Sequence, residues 1–251
     1  MPAWLHAFRA SFTFLTRVPV GGFPYPKATW QWITLWFPLV GLALGGAQWA
    51  LWESLPGLSE WTRCIVVVLF GVVITGAFHE DGLSDSVDGL GGGYEPEAVL
   101  RIIKDSRIGV FGSLAIFFVV FLKISLLVDL GEEIMWGLVL GQSLSRAVPV
   151  VQLAIIPYAN SSDPKSKSRD VAESGVLQAL GAGVWTACIL AGGLALGLEP
   201  TTALLVLAAM VSVGVLWGLY VYRRVGGLAG DFLGATQQLT EIAVLLVLVS
   251  A

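Results

Sequence analysis

The chain has 251 residues, of which 56% are hydrophobic and only 13% are charged, and its mean hydropathy is +0.80. An average soluble domain carries roughly 25% charged residues, so this composition excludes a soluble globular protein. The formal net charge of −4 excludes a general nucleic-acid binder that depends on phosphate contacts.

The N-terminal segment predicts an amphipathic helix that lies in the membrane interface rather than across the bilayer. Trp4, Phe8 and Leu15 recur at helical spacing with polar residues between them, and Pro19 follows. An apolar stripe opposite a basic and polar face is typical of an interfacial helix. The segment lacks the apolar centre and cleavage site of a signal peptide, so no processing is expected.

Seven stretches are apolar enough, at about 20 residues each, to cross the hydrocarbon core as helices. They predict an all-α, polytopic membrane protein that forms a single integral-membrane domain over residues 1–251. The seventh stretch is the weakest, because Gln237, Gln238 and Glu241 fall in its first half. The predicted spans are 32–52, 61–78, 109–130, 134–157, 176–198, 201–222 and 234–251.

Lysine and arginine positions assign the two sides of the membrane. Eleven of the 14 basic residues fall in the N-terminal segment and in the second, fourth and sixth connections, whereas the other connections offer only Arg63. By the positive-inside rule, the N-terminus is expected in the cytoplasm and the C-terminus outside. The expected cytoplasmic parts are an active-site region at 79–109 and the loops 158–175 and 223–233.

Four carboxylates, with no lysine or arginine among them, follow the second predicted span. If that helix continues past residue 78, Asp81, Asp85 and Asp88 fall at i, i+4 and i+7 on one face, with Glu80 beside them. Two carboxylates about 6 Å apart repel by roughly 3 kcal/mol at an effective dielectric of about 20. Hard divalent cations remove that cost, and Mg²⁺ is the usual ion where phosphates share the site. The pattern favours a magnesium site over the alternative, a solvated helix end.

Residues around these acids are candidates for binding an anionic substrate. Asp105 is a further candidate metal ligand, and Lys104 and Arg107 are candidates to hold phosphate oxygens, the alternative being ordinary basic flanks of a span. His79 is placed to orient an acid or accept a proton, unless it is a histidine satisfied at a helix end. Asp231 follows two arginines and several glycines that lead into a predicted helix. Such a segment can bind phosphate through its backbone N–H groups.

Three charged residues lie more than two residues from either end of a predicted span. Arg146 must face the bundle interior, because an unpaired charge in lipid costs at least a few kcal/mol. Either it pairs with Glu241 as a structural element, or it reaches an anionic substrate. Lys123 lies near the outer end of its span and is expected to extend towards the outer interface.

These residues suggest transfer of a phosphate-linked group from a nucleotide-activated donor to an alcohol, with positioning and charge neutralisation as the main catalytic effects. The competing class is a secondary transporter with Arg146 and Glu241 on an ion path. Transporters place their acids near the membrane midplane and show repeats. Here the acids gather at one interface and no internal repeat is found, so the enzyme is favoured.

The chain resembles the cobalamin synthase family, whose members are adenosylcobinamide-GDP ribazoletransferases of the bacterial inner membrane. The resemblance rests on FHEDGLSDSVDG at 78–89, KDSRIG at 104–109, GDFLGA at 230–235 and FLTRVP at 14–19, and it covers nearly the whole chain. It implies a Mg²⁺-dependent last step of nucleotide-loop assembly. The 3′-hydroxyl of α-ribazole, or of its 5′-phosphate, attacks the corrinoid-side phosphorus of adenosylcobinamide-GDP. GMP leaves, and adenosylcobalamin or its 5′-phosphate forms.

The resemblance also implies roles for residues of this chain. The metal ligands would include the acids of the first motif, and Asp88 would take the hydroxyl proton. The expected metal ligands are Glu80, Asp81, Asp85, Asp88 and Asp105; the expected catalytic residues are Glu80, Asp85 and Asp88; and the expected substrate-binding residues are His79, Lys104, Arg107, Arg146 and Asp231. A lipid bilayer and the two small-molecule substrates are the expected partners, with no nucleic acid. Assembly into a homo-oligomer or with other cobalamin-pathway enzymes is left open, as is another nucleotide-diphospho-alcohol phosphotransferase activity.

Overall fold

The computed structural model describes residues 3–159 and 174–251. This part of the chain is built from helices and contains no β-strand, which confirms the predicted all-α class. The predicted loop at 158–175 lies, apart from its ends, outside the described residues. The α-helices are α1 (Ala3–Leu15), α2 (Lys27–Trp30), α3 (Phe37–Glu53), α4 (Glu60–Thr75), α5 (Phe78–Gly92), α6 (Pro96–Ile103), α7 (Val110–Leu130), α8 (Ile134–Ser145), α9 (Val148–Ile155), α10 (Val176–Ala195), α11 (Pro200–Val225) and α12 (Gly230–Ser250).

Several of these helices are suited to crossing a membrane. Five stretches of the described residues are long and apolar enough, and the bent pair of α4 and α5 would make a sixth. The chain is therefore a multi-pass membrane protein, but the predicted number of seven spans is not confirmed. The longest stretch, Val110–Ile155, contains a reversal. Lys123 of α7 and Gln142 of α8 both bind Glu241, so the two helices lie side by side.

The chain turns sharply between α4 and α5. Gly76 and Ala77 both adopt left-handed backbone conformations, with φ of 68° and 58°, and the two helices meet at 86°. The second span therefore ends at Thr75 and does not continue as one helix past residue 78; a new helix, α5, aligns the acids instead. If α4 continued straight, it would carry four carboxylates into or beyond the bilayer. The turn instead lays α5 across the end of the bundle. We therefore place α5 outside the membrane-spanning segments.

Helices α3 and α8 cross at very short range. Gly41 and Gly45 of α3 form the small-residue spacing that lets two membrane helices bring their backbones together. A Cβ atom at Gly41 would collide with the carbonyl oxygen of Gln142, and one at Gly45 with that of Leu138. This crossing fixes the position of α8, and with it the polar residues near the end of that helix.

We expect Gly45→Ala to lower the free energy of unfolding by about 1–3 kcal/mol, because overpacking forces backbones apart. The added methyl group would lie 2.8 Å from Val139 Cα. Gly46→Ala is the matched control, since a Cβ atom there meets nothing within 4 Å. The measurement is the midpoint of thermal unfolding in detergent. Equal midpoints for the two variants would contradict the close crossing.

Candidate active site

Helix α5 and the start of α12 bring four carboxylates together at one end of the bundle. We call Asp81, Asp85 and Asp88 of α5, with Asp231 of α12, the acidic face. The helix places the first three on one side, as predicted, although their exposure falls from exposed Asp81 to Asp88 at 9%. Asp231 joins them because α5 and α12 cross closely at Gly82, where a Cβ atom would lie 2.9 Å from the Asp231 carbonyl oxygen.

The acidic face is an electrostatically strained group. Burial, and after it the neighbouring charges of Asp81, Asp231 and Asp88 in that order, together raise the pKa of Asp85 to about 7. No lysine or arginine within the described residues forms a salt bridge with any of these four carboxylates. Among the described residues, negative charge is therefore concentrated here without a lysine or arginine to balance it, as expected where a bound cation supplies the balance.

Asp88 differs from the other members of the acidic face because both of its oxygens are occupied. One accepts a hydrogen bond from the Gly109 N–H at 2.7 Å and the other from the Gly112 N–H at 2.8 Å. These donors belong to the first turn of α7, where backbone N–H groups have no partners inside the helix. Asp88 thus ties the start of α7 to α5. Its predicted role as the base stays untested.

We expect Gly112→Ala to lower both stability and activity, since its Cβ atom would collide with the Asp88 carboxylate and the Ser84 hydroxyl. The expected loss is about 1–3 kcal/mol in the free energy of unfolding. Gly192→Ala is the control, because that position is open. Unfolding midpoints and transferase rates would be compared. A Gly112→Ala protein that matches wild type in both would refute the tie between α5 and α7.

The segment between α6 and α7 carries the predicted phosphate-binding residues. Lys104 is exposed at the end of α6. Arg107 forms a 2.6 Å salt bridge with Asp105, and its side chain is 87% exposed. Hydrogen bonding to Arg107 lowers the pKa of Asp105. The structure therefore pairs Asp105, a predicted metal ligand, with Arg107, a predicted phosphate-binding residue. Arg107 lies two residues before Gly109, whose N–H binds Asp88.

Glu80 points away from the acidic face into the bundle. Its Oε1 accepts a hydrogen bond from Gln238 Nε2 at 3.0 Å. Gln238 Oε1 in turn accepts one from Lys123 Nζ at 3.1 Å. Among the predicted metal ligands, Glu80 is thus separated from the other acids of α5. It belongs instead to what we call the buried polar network, whose members are Glu80, Lys123, Gln142, Arg146, Gln237, Gln238 and Glu241.

Glu241 is the centre of the buried polar network. It forms a 3.0 Å salt bridge with Lys123, whose side chain is 6% exposed. Gln142 and Gln237 each donate to it at 2.9 Å. The prediction that Lys123 extends to the outer interface is therefore wrong. A carboxylate one helix away offers the buried ammonium a partner inside the protein, and paired burial costs less than exposing either charge to lipid.

Arg146 faces the interior, as predicted, and is 2% exposed. It lies at the break between α8 and α9 and donates at 2.7 Å both to the Gln142 backbone oxygen and to Gln142 Oε1. The predicted partner Glu241 is reached through Gln142 rather than by a direct salt bridge. His79 is also buried, and both residues line the same small cavity beneath α5. The structure places Arg146 and His79 below the acidic face.

Arg224 has a structural position that the sequence did not reveal. Its guanidinium donates to the carbonyl oxygens of Leu90 at 3.1 Å and Gly93 at 2.6 Å. A helix leaves its last carbonyl groups without partners, so Arg224 caps the end of α5. The last turn of α11 therefore helps to hold the helix that carries the acids.

Sequence reasoning missed the glutamines of α12 as partners of Glu80 and Glu241. A signal was present, because Gln237, Gln238 and Glu241 interrupt an apolar span and recur at helical spacing. Within residues 3–159 and 174–251, no three histidine, cysteine or acidic side chains converge in an arrangement that would hold a metal ion. The predicted ligand set Glu80, Asp81, Asp85, Asp88 and Asp105 is thus divided among the acidic face, the buried polar network and an exposed salt bridge.

Comparisons with known proteins relate the whole chain to one family. A family model described as cobalamin-5-phosphate synthase matches residues 7–249. The relatives named adenosylcobinamide-GDP ribazoletransferase include a protein of Leptothrix cholodnii, 36% identical over 97% of this chain and 96% of the relative. One of Shewanella woodyi is 36% identical over 97% and 95%, and one of Chlorobium chlorochromatii is 39% identical over 92% and 90%. No solved structure matches the chain.

Proposed function

The chain belongs to the cobalamin-5-phosphate synthase family and is a transferase, and from that premise we propose that it transfers adenosylcobinamide phosphate to a ribazole. The donor is adenosylcobinamide-GDP, and the acceptor is α-ribazole or its 5′-phosphate. The products are GMP and adenosylcobalamin or its 5′-phosphate. The observation that carries the proposal is the acidic face, held at one end of the bundle by α5, α7 and α12.

The position of the acids favours a transferase over a secondary transporter. Transporter sites lie near the bilayer midplane on broken helices. Here Asp81, Asp85 and Asp88 lie on a helix that runs at 86° to the preceding span, across the end of the bundle. Of the charged residues inside the spans, Lys123 and Glu241 form a salt bridge with each other and Arg146 donates to Gln142, so each has a partner within the protein.

We propose Mg²⁺ as the cofactor, on the chemistry of the donor set. Hard carboxylate oxygens are the ligands that Mg²⁺ prefers. Burial and the charges of the three neighbouring carboxylates raise the pKa of Asp85, and a divalent cation would balance those negative charges. Asp81, Asp85 and Asp231 are the candidate ligands, since hydrogen bonds to α7 already engage Asp88. These three would have to move closer together to hold the ion, because no three acidic side chains of the described residues converge on a metal position. When bound, it would neutralise charge on the diphosphate and on the GMP leaving group.

The chain's own residues position the two substrates. The 3′-hydroxyl oxygen of the ribazole forms a bond to the corrinoid-side phosphorus, and the bond from that phosphorus to the bridging oxygen of GMP breaks. The hydroxyl proton passes to a carboxylate of the acidic face. Lys104 and Arg107, on the segment that Asp88 anchors, bind the non-bridging oxygens of the diphosphate. Most of the rate enhancement then comes from alignment and charge.

We also propose that this end of the molecule faces the cytoplasm of a bacterial cell and that the bilayer is the inner membrane. Arg101, Lys104, Arg107 and Arg224 all lie in or beside the segments around the acidic face. Arg63, at the far end of α4, lies 3.6 Å over the Trp52 ring, as expected of an interfacial anchor on the other side. This arrangement follows the positive-inside rule and opens the site to soluble nucleotide substrates.

The decisive experiment incubates purified protein in detergent or nanodiscs with adenosylcobinamide-GDP, α-ribazole and MgCl₂, and measures release of GMP. We expect GMP and a cobalamin product in equal amounts, and no reaction without the ribazole. Folded protein that releases no GMP would reject the assignment. Substrate flux into proteoliposomes without product would support a transporter. Turnover with a CDP-linked alcohol but not with adenosylcobinamide-GDP would support another phosphotransferase.

A further inference from the structure

A small cavity lies beneath α5, on the opposite side of that helix from the exposed acids. Its volume is about 20 Å³, and its lining includes Gln48 of α3, Glu80 of α5 and Arg146 at the break between α8 and α9. Within the described part of the chain, each of these three side chains has one buried polar atom without a hydrogen-bond partner. These atoms are Gln48 Oε1, Glu80 Oε2 and Arg146 Nε.

Unpartnered polar atoms of this kind are costly. A buried donor or acceptor without a partner has lost its hydrogen bonds to water with nothing in return, so native proteins rarely leave several in one place. Three such atoms on the wall of one cavity therefore indicate that a polar ligand completes the hydrogen bonding there.

The charges around the cavity favour a neutral ligand. Lys123 and Arg146 contribute two positive charges to the lining, and Glu80 and Glu241 contribute two negative charges. Lys123 and Glu241 already form a direct salt bridge, and Glu80 is the second carboxylate that faces the Arg146 guanidinium. A cation or an anion would upset this balance in a buried place where uncompensated charge is expensive.

The volume and the chemistry together identify the ligand. Both volumes measure the space open to the centre of a water-sized sphere. A cavity needs roughly 10–15 Å³ of such space to hold one water, and the water needs two to four polar partners. We propose that this cavity binds a single water molecule. The water donates one hydrogen bond to Glu80 Oε2 and one to Gln48 Oε1, and accepts one from the Arg146 Nε–H. Two acceptors and one donor on the wall match the two donors and the free acceptor of water.

The water would make Gln48 a positioning residue for α5. Gln48 lies on α3 and donates its own Nε2 to the Val67 carbonyl oxygen of α4 at 2.8 Å. Through the water, this fixed amide and Arg146 hold the Glu80 carboxylate from below, while Gln238 holds its other oxygen. Glu80 precedes Asp81 in the same turn of α5. The bound water therefore helps to fix the position of the acidic face relative to the helices beneath it.

A structure of the full-length protein at a resolution that shows ordered water tests the site directly. We expect one density peak within hydrogen-bond distance of Glu80, Gln48 and Arg146. A closed cavity in which Glu80 Oε2 binds Arg146 Nε directly would overturn the proposal. So would an anomalous signal in the cavity from crystals soaked in rubidium chloride, because the occupant would then be a cation.

Thermal unfolding gives a second, independent test. We expect the fall in Tm of the double variant Gln48→Met and Glu80→Met to be smaller than the sum of the two single falls. Once Gln48 or Glu80 has been replaced, the water that both bind is already held more weakly, so replacing the second residue costs less. Gln48→Met combined with Thr186→Val is the control. Thr186 donates within its own helix to the Ala182 carbonyl oxygen, so these two falls should add. Additive falls for Gln48 and Glu80 would overturn the proposal, and neither test depends on the transferase activity.

Discussion

Replacing Asp85 with asparagine is expected to reduce GMP release by at least about 100-fold while the protein stays folded. Asp85 is the member of the acidic face whose pKa is raised by all three of its acidic neighbours, so it lies within reach of each of them. The amide keeps the shape of the side chain but removes the negative charge needed to hold a divalent cation or to accept a proton. Removing one of several repelling carboxylates should not lower stability.

Asp129→Asn is the control for this prediction. Asp129 lies near the far end of α7 and is exposed, so the same change of chemistry there should leave the rate unchanged. Initial rates of GMP release would be measured over a range of MgCl₂ concentrations, with unfolding midpoints for both variants. An Asp85→Asn enzyme with the wild-type rate and magnesium dependence would remove Asp85 from the proposed site.

Composition and spacing were enough to predict the class of fold and the location of the acids. Long apolar stretches can only be helices in lipid. An acidic run with no lysine or arginine indicates a group of negative charges that needs a cation to balance it. These features are local in the sequence, since Asp81, Asp85 and Asp88 lie within one short helix.

Features that depend on which helices meet could not be predicted in this way. The turn at Gly76 and Ala77 has no strong sequence signal, since alanine rarely adopts a left-handed conformation. It therefore looks like a continuing helix, but it redirects α5 by 86°. Glu80 follows Ala77 by only three residues, yet points into the bundle rather than to the acidic face because Gln238, 158 positions away in the sequence, is there to bind it.

The partners of buried charges are the clearest case. Arg146 and Glu241 are the charges that a search of the spans finds most easily, and a direct pair between them is the simplest expectation. The structure instead pairs Glu241 with Lys123 and connects Arg146 through Gln142. Distances between helices decide this choice, and the close crossing of α3 and α8 at Gly45 is one of the constraints that set them.

The Lys123–Glu241 pair leads to the prediction with the largest expected effect on stability. Lys123→Met is expected to lower the free energy of unfolding by about 3–5 kcal/mol, because it leaves the Glu241 carboxylate buried without its cation. The methionine retains most of the volume of the lysine stem, so the loss reports charge rather than packing. Lys27→Met, at an exposed position on α2, should change stability by no more than about 0.5 kcal/mol.

Rescue by a second substitution separates a lost charge from a lost contact. Glu241→Gln, added to Lys123→Met, removes the stranded carboxylate, and its amide oxygen can still accept one of the two hydrogen bonds that Gln142 and Gln237 donate. We expect the double variant to recover at least half of the lost unfolding free energy, since a neutral buried pair needs no counter-ion. Thermal and denaturant unfolding in detergent would give the unfolding free energies of four proteins: the wild type, Lys123→Met, Lys27→Met and the double variant. A double variant less stable than Lys123→Met alone would show that Glu241 stabilises the bundle through its hydrogen bonds to the glutamines, and not through the buried ion pair.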